Sequence, residues 1–190
     1  MNRRLWFALF LAPLGVRAET VTVVLNTELG EIVLELFPQK APKTAANFLR
    51  YLDAGSYNGG FFHRTVKPEN QPENTVKIEV IQAGVNPEKR DELIAPVALE
   101  RTSLTGQRHL DGTVSMARTA PDSARTEFFI CIGNQPELDF GGRRNPDGQG
   151  FAAFGKVTRG MDVVRRIQQA PAEAQRLTPP VRILKASRRP

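Results

Sequence analysis

The stretch Phe61-Phe62-His63-Arg64-Thr65-Val66 is short, bulky and apolar, with one arginine near its centre. Gly59-Gly60 precede it, and a segment rich in Pro, Asn and Glu follows. A glycine pair ahead of such a run reads as a turn into a β-strand. Simple alternation places Phe62, Arg64 and Val66 on one face and Phe61, His63 and Thr65 on the other. A guanidinium among such side chains is stacked on a ring with its head in water, ion-paired inside, or aimed at a ligand. The first is the default for a lone motif, so the rest of the chain must decide.

Upstream, residues 20–27 alternate, Glu28-Leu29-Gly30 makes a turn, and residues 31–37 alternate again, which predicts a β-hairpin. From Pro42, the apolar residues Ala45, Phe48, Leu49 and Leu52 follow helical spacing until Gly55. Proline at the start and glycine just past the end fit one amphipathic helix. Downstream, residues 67–75 form a loop and 76–83 a strand with Val80 and Gln82 on one face. Further strands are expected at 96–100, 112–118, 127–132, 151–157 and 181–186. In the strand at 127–132, Phe128, Ile130 and Ile132 face one way and Glu127, Phe129 and Cys131 the other. Residues 134–150 and 171–180 read as loop and linker, and Met161–Gln169 as a second amphipathic helix. Many short strands with Gly/Pro turns predict a mainly β fold, a barrel or a sandwich. Two well-separated helices suit the ends of a closed barrel, and closure removes unpaired edges.

The chain has 190 residues, with 26 basic and 20 acidic side chains. Arg3, Arg4 and Arg17 lie in residues 1–18, which hold no acid, so residues 19–190 carry 23 against 20, or +3. So small and scattered an excess argues against nucleic acid as a partner. Residues 1–18 read as a secretory signal peptide, with Arg3-Arg4 before an apolar Leu5 to Leu14 and cleavage expected after Ala18. That apolar run is too short to span a bilayer core of about 30 Å. Residues 19–190 then form one domain, with no stable membrane insertion expected after cleavage. Cys131 is the only cysteine, so the domain is held by its core rather than by an internal disulfide.

Taken in order, the hairpin, the helix, Phe62-His63-Arg64, Ile81-Gln82-Ala83-Gly84, Gly112 to Arg118, Glu127 to Ile130, Leu138-Asp139, Phe154 to Val157 and Gly160-Met161-Asp162 resemble the cyclophilin family of peptidyl-prolyl cis-trans isomerases. The resemblance covers nearly all of residues 19–190. It implies a closed eight-stranded antiparallel β-barrel capped by two α-helices, with a substrate groove on its outer surface. It also implies an enzyme that needs no cofactor and no metal. Rotation about an X–Pro bond meets a barrier of about 18–20 kcal/mol from amide resonance. By resemblance, Arg64, Gln82 and Phe129 are the catalytic residues: the arginine donates to the reacting amide, the glutamine orients it, and the phenylalanine floors the proline pocket. Leu138 matches the apolar wall, Ala117 the small groove residue, and Val80 stands where the family usually has Met. Arg118 stands for an Asn that binds substrate backbone, Phe151 for a late histidine, and Glu127 for a Gln. On the same face as Phe129, Glu127 is able to pair with Arg64, either steadying it or competing with the substrate carbonyl. Glu137 replaces an aromatic residue, so weak cyclosporin binding is expected. Glu79 is expected to make part of the pocket more polar. A charge-assisted bond contributes about 1.5–3 kcal/mol. A rate gain of about 10⁵ needs roughly 7 kcal/mol, so binding in the pocket must supply the rest.

The expected protein is a monomeric, periplasmic or secreted isomerase that acts on proline-containing polypeptides and assists their folding. The alternative is a module on the same barrel that captures proline-bearing segments with little turnover. His109, Asp111 and Ser115 invite a Ser-His-Asp reading, but no nucleophile elbow surrounds Ser115. His63 is expected to face away from Arg64 as a structural histidine. The 145–150 loop lacks the spaced acids of a calcium site, and a turn is expected there.

Overall fold

The computed structural model describes residues 19–92 and 95–189. The predicted signal peptide lies outside them. Among the described residues, besides three short 3-10 turns, nine strands and three α-helices follow in the order β1 (Val21–Thr27), β2 (Gly30–Leu36), α1 (Pro42–Asp53), β3 (Phe61–Val66), β4 (Val80–Gly84), α2 (Thr102–Thr105), β5 (Thr113–Met116), β6 (Phe128–Cys131), β7 (Ala152–Arg159), α3 (Met161–Gln168), β8 (Ala172–Glu173) and β9 (Arg176–Arg188). The sheet runs β1-β2-β7-β5-β6-β4-β3-β9, and β9 returns to pair with β1. Every pairing is antiparallel. The eight strands thus close the expected barrel, and β8 is a two-residue appendage of β9.

The barrel interior is filled. Phe62, Ile81, Ala83, Val114, Phe128, Ile130 and Phe154 point inward and are buried. Phe48 of α1 closes one end, with its ring 4.9 Å from Tyr57, 5.2 Å from Phe154 and 5.4 Å from Phe128. Val163, Val164 and Ile167 of α3 are buried in the same core. Helix α1 starts on Pro42 with no side-chain cap of its own. The carboxylate of Glu100 supplies the cap from a distance, accepting from Lys43 N at 3.1 Å and Thr44 N at 2.7 Å. The expected strand at 96–100 is accordingly only a single bridge, Val97 to Ala124, and its last residue serves the helix.

Two further expectations change. Residues 171–180 are not a linker. They form β8 and the first part of β9, which pairs with β3. Secondly, β3 carries a bulge at His63. Phe62 pairs with Ala83 and Arg64 with Gln82, so one residue of β3 has no counterpart on β4. The pairing with β9 shifts at the same point. An extra residue reverses the alternation that follows it. Phe62 therefore points into the barrel, whereas Arg64 and Val66 point out of it beside Gln82 and Val80.

Candidate active site

Alternation on β4 and β6 builds two apolar clusters from the same strands. Ile81, Ala83, Phe128 and Ile130 fill the barrel. Val80, Phe129 and Cys131 point outward and join Val66, Ile78 and Leu138 in a second cluster, against which Ala117 and Phe151 pack. This second cluster floors a depression of about 520 Å³ on the outer wall. Its lining includes Arg64, Val80, Gln82, Ala117, Arg118, Glu127, Phe129, Leu138 and Phe151, so all nine predicted site residues come together. Ile78, Thr119, Ser123, Arg125, Thr126, Arg144 and Asn145 complete it, and sequence reasoning singled out none of these seven as site residues.

Phe129 is 4% exposed and Leu138 1%, which makes the floor rigid and apolar. Under Phe129 lies a buried polar chain. The His109 ring stacks on Phe129 at 5.9 Å and 16°. Its Nδ1 is 2.7 Å from Asp139 Oδ1, and its Nε2 is 2.9 Å from Ser115 Oγ. A Ser-His-Asp chain therefore exists, but its acid is Asp139; Asp111 pairs with Arg165 instead. Ser115 is fully buried, so its hydroxyl meets no substrate and the chain acts as a prop for the floor. Cys131 is buried beside it, and burial pushes its thiol well above the ordinary value, which makes it inert packing.

Arg64 sits at the edge of the floor. Its Nη1 donates to Gln82 Oε1 at 2.9 Å. Its Nε and Nη2 both donate to Gln175 Oε1, at 2.9 Å and 2.6 Å. Gln175 lies in the β8–β9 turn, and its own amide donates to Asn70 O at 3.0 Å. A guanidinium carries more N–H groups than these bonds use, so donors remain for a substrate. Both partners are neutral amides, and burial lowers the arginine's pKa. The charge is thus held in place without being cancelled.

Glu127 takes His63 and Gln82 as partners rather than Arg64. Its Oε2 lies 2.6 Å from His63 Nε2 and accepts from Gln82 Nε2 at 3.1 Å. The bulge brings His63 to the same face as Arg64, so the chain His63, Glu127, Gln82, Arg64 is continuous. Gln82 has one amide end committed to a carboxylate, which aims the other at Arg64. Gly84 makes room for this: a Cβ there would collide with Glu127 Oε1. Across the depression, Arg118 donates from Nη1 and Nη2 to Asp147 at 2.7 Å and 2.9 Å, and from Nε to Gly150 O at 2.8 Å. Its guanidinium also lies 5.0 Å from the Phe151 ring centre. These bonds hold the Asp147 carboxyl down at about 2. Arg118 is thereby a clamp on the 145–150 turn.

Two other acids leave the pocket. Glu79 accepts from Gln168 Nε2 at 2.9 Å, so Ile78 rather than Glu79 lies on the floor beside Val80. Glu137 is held by Arg143 through its backbone N at 2.8 Å and Nη2 at 3.0 Å, and it is absent from the groove lining. Among the described residues, no cluster of His, Cys, Asp and Glu could hold a metal ion, and no helix is long and apolar enough to cross a membrane.

A closed, filled barrel with an open, apolar-floored groove on its outer wall, edged by an arginine held by neutral partners, suits the handling of a peptide rather than the carriage of a small molecule inside the barrel. The family model for cyclophilin-type peptidyl-prolyl cis-trans isomerases matches residues 22–188, and the chain belongs to that family. It is 36% identical over 163 residues to peptidyl-prolyl cis-trans isomerase A of Dickeya dadantii, covering 85% of this chain and 78% of the relative. It is 39% identical over 149 residues to peptidyl-prolyl cis-trans isomerase cyp18 of Streptomyces antibioticus, covering 77% and 82%. Among solved structures, a cyclophilin-type isomerase of Cryptosporidium parvum superposes with a TM-score of 0.71 at 20% identity, covering 90% of this chain and 99% of that one. That structure has also been solved in the presence of the dipeptide Ala-Pro. The enzyme class is therefore peptidyl-prolyl cis-trans isomerase.

Proposed function

We propose that this isomerase acts on proline-bearing segments of exported polypeptides, with Arg64 as the group that lowers the rotational barrier. The observation that carries the role of Arg64 is its position. An uncancelled guanidinium with spare donors stands at the rim of an apolar floor made by Val80, Phe129 and Leu138. The proline ring rests on that floor. As the X–Pro bond turns, resonance is lost and the proline nitrogen becomes pyramidal, and its lone pair accepts a bond it could not accept when planar. A donor at the rim meets that lone pair or the swinging carbonyl oxygen. Such a bond is stronger in the twisted state than in the planar one, which is what acceleration requires. Residues 1–18 support the exported setting through their Arg pair, short apolar run and Ala18.

Protease-coupled isomerisation of an Ala-Pro-Phe-type peptide tests the role of Arg64. Arg64→Ala should lower kcat/KM roughly 10- to 100-fold, the equivalent of one charge-assisted bond. Equal rates for the two proteins, both at the uncatalysed background, would instead favour the capture module. For the exported setting, sequencing of the protein recovered from a periplasmic extract should begin at Glu19. An intact Met1 in the cytosolic fraction would reject it.

A further inference from the structure

The charges around the groove are unbalanced. Arg64, Arg118 and Arg144 line it, and Glu127 is the one carboxylate among the described lining residues. Glu127 already serves His63 and Gln82, and Arg118 is neutralised by Asp147. Arg64 has two amide partners. The side chain of Arg144 donates from Nη1 to the Val76 carbonyl at 2.6 Å. Among the described residues, neither Arg64 nor Arg144 has a carboxylate within ion-pair distance, whereas Arg143, one position earlier, is paired with Glu137. Arg144 is also partly buried, and after burial it is the charge of Arg64 that most depresses its pKa, so the two guanidiniums feel one another. Two cations facing one pocket without a counter-ion repel, and an anion bound between them removes that repulsion. Anchoring the loop through Val76 accounts for only one of the terminal nitrogens of Arg144.

We propose that the groove prefers proline segments with an Asp or Glu side chain immediately next to the proline, and that Arg144 reads this carboxylate together with Arg64. This rests on the reading of the groove as the peptide site. The apolar floor takes the ring, and the planar guanidinium presents paired donors that match a carboxylate. A free small anion lacks the ring that the floor is shaped to bury.

Two peptide series test it, with Glu, Gln or Lys placed just before or just after the proline. In at least one series, kcat/KM for Glu should exceed that for Gln by about tenfold at low salt, through KM, with Lys poorest. The preference should shrink at about 0.5 M NaCl, where screening is strong. It should collapse to within about twofold in Arg144→Gln and survive in Arg144→Lys. A Glu-to-Gln ratio near one in both series, or an equal ratio in wild type and Arg144→Gln, overturns the proposal. Should no peptide turn over above background, the isomerase reading fails. The ratio of Kd values from isothermal titration with the same peptides then decides the charge preference by the same criteria.

Discussion

Replacing Gln175 by Met keeps the volume of the side chain and deletes the acceptor that holds two of the nitrogens of Arg64. In the wild type these bonds measure 2.9 Å and 2.6 Å, and the Gln175 amide is itself fixed by Asn70 O at 3.0 Å. After the change, Gln82 alone holds the guanidinium. Hydrogen bonds to a charged group contribute roughly 1.5–3 kcal/mol. Arg64 is only partly buried, so water recovers part of that, and about 1–2 kcal/mol of positioning is lost. The expected effect is a fall of roughly 5- to 30-fold in kcat/KM. Protease-coupled isomerisation measures it, with Tm as a control for folding. The Arg64 Nε–H resonance supplies a readout that general destabilisation would not move, since it reports the bond directly. Activity within twofold of wild type, with that resonance unshifted, would refute the idea that the β8–β9 turn positions the arginine.

Other outcomes follow from single contacts. Glu127→Gln keeps the shape but removes the strong acceptor that orients Gln82. It should change kcat/KM by several-fold, with Tm altered by only a few degrees; unchanged kcat/KM would show that the His63 to Arg64 chain is not felt at the reaction. Asp147 has its pKa depressed from 3.8 to about 2 by Arg118. A depressed folded value means that its stabilisation is complete above about pH 4 and disappears as pH falls towards 2. The Tm gap between wild type and Asp147→Asn should therefore stay constant from neutral pH to about 4 and close below that. Glu100→Ala removes the acceptor for Lys43 N and Thr44 N, and should cost about 1 kcal/mol, or about 2–4 °C in thermal denaturation.

The parts of this fold visible in the sequence are those whose reasons are local. The 20–37 hairpin and helices α1 and α3 follow from period, Pro and Gly alone, and their boundaries agree within a few residues. Elements that depend on distant partners were hidden. Pro179 and Pro180 make 171–180 read as a linker, yet β9 forms there because it meets β3, which precedes it by more than a hundred residues. Gln175 therefore carries no sequence signal as a partner of Arg64. The acid nearest His109 in sequence is Asp111, whereas the one that holds its ring, Asp139, comes from across a loop. Arg144 sits in an irregular loop with no periodicity to announce a direction. Local alternation on β4 and β6 did sort the groove residues Val80, Gln82 and Phe129 from the barrel residues Ile81 and Phe128. Where alternation failed, at Arg64, the cause is a pairing mismatch between strands, which no single strand records.

The bulge at His63 has a consequence for how this surface can change through descent. The outward direction of Arg64 is a matter of counting: one surplus residue changes odd into even for the rest of β3. Most substitutions along the strand leave that count intact and adjust the groove by degrees. Were His63 instead drawn into regular pairing with Gln82, every residue would stay in the chain, yet Arg64 would fall opposite Ile81 and turn its guanidinium towards the barrel interior, where Phe62 and Ile81 lie. The chemistry of this wall is thus tolerant of changes in spelling and intolerant of the loss of that one mismatch in pairing.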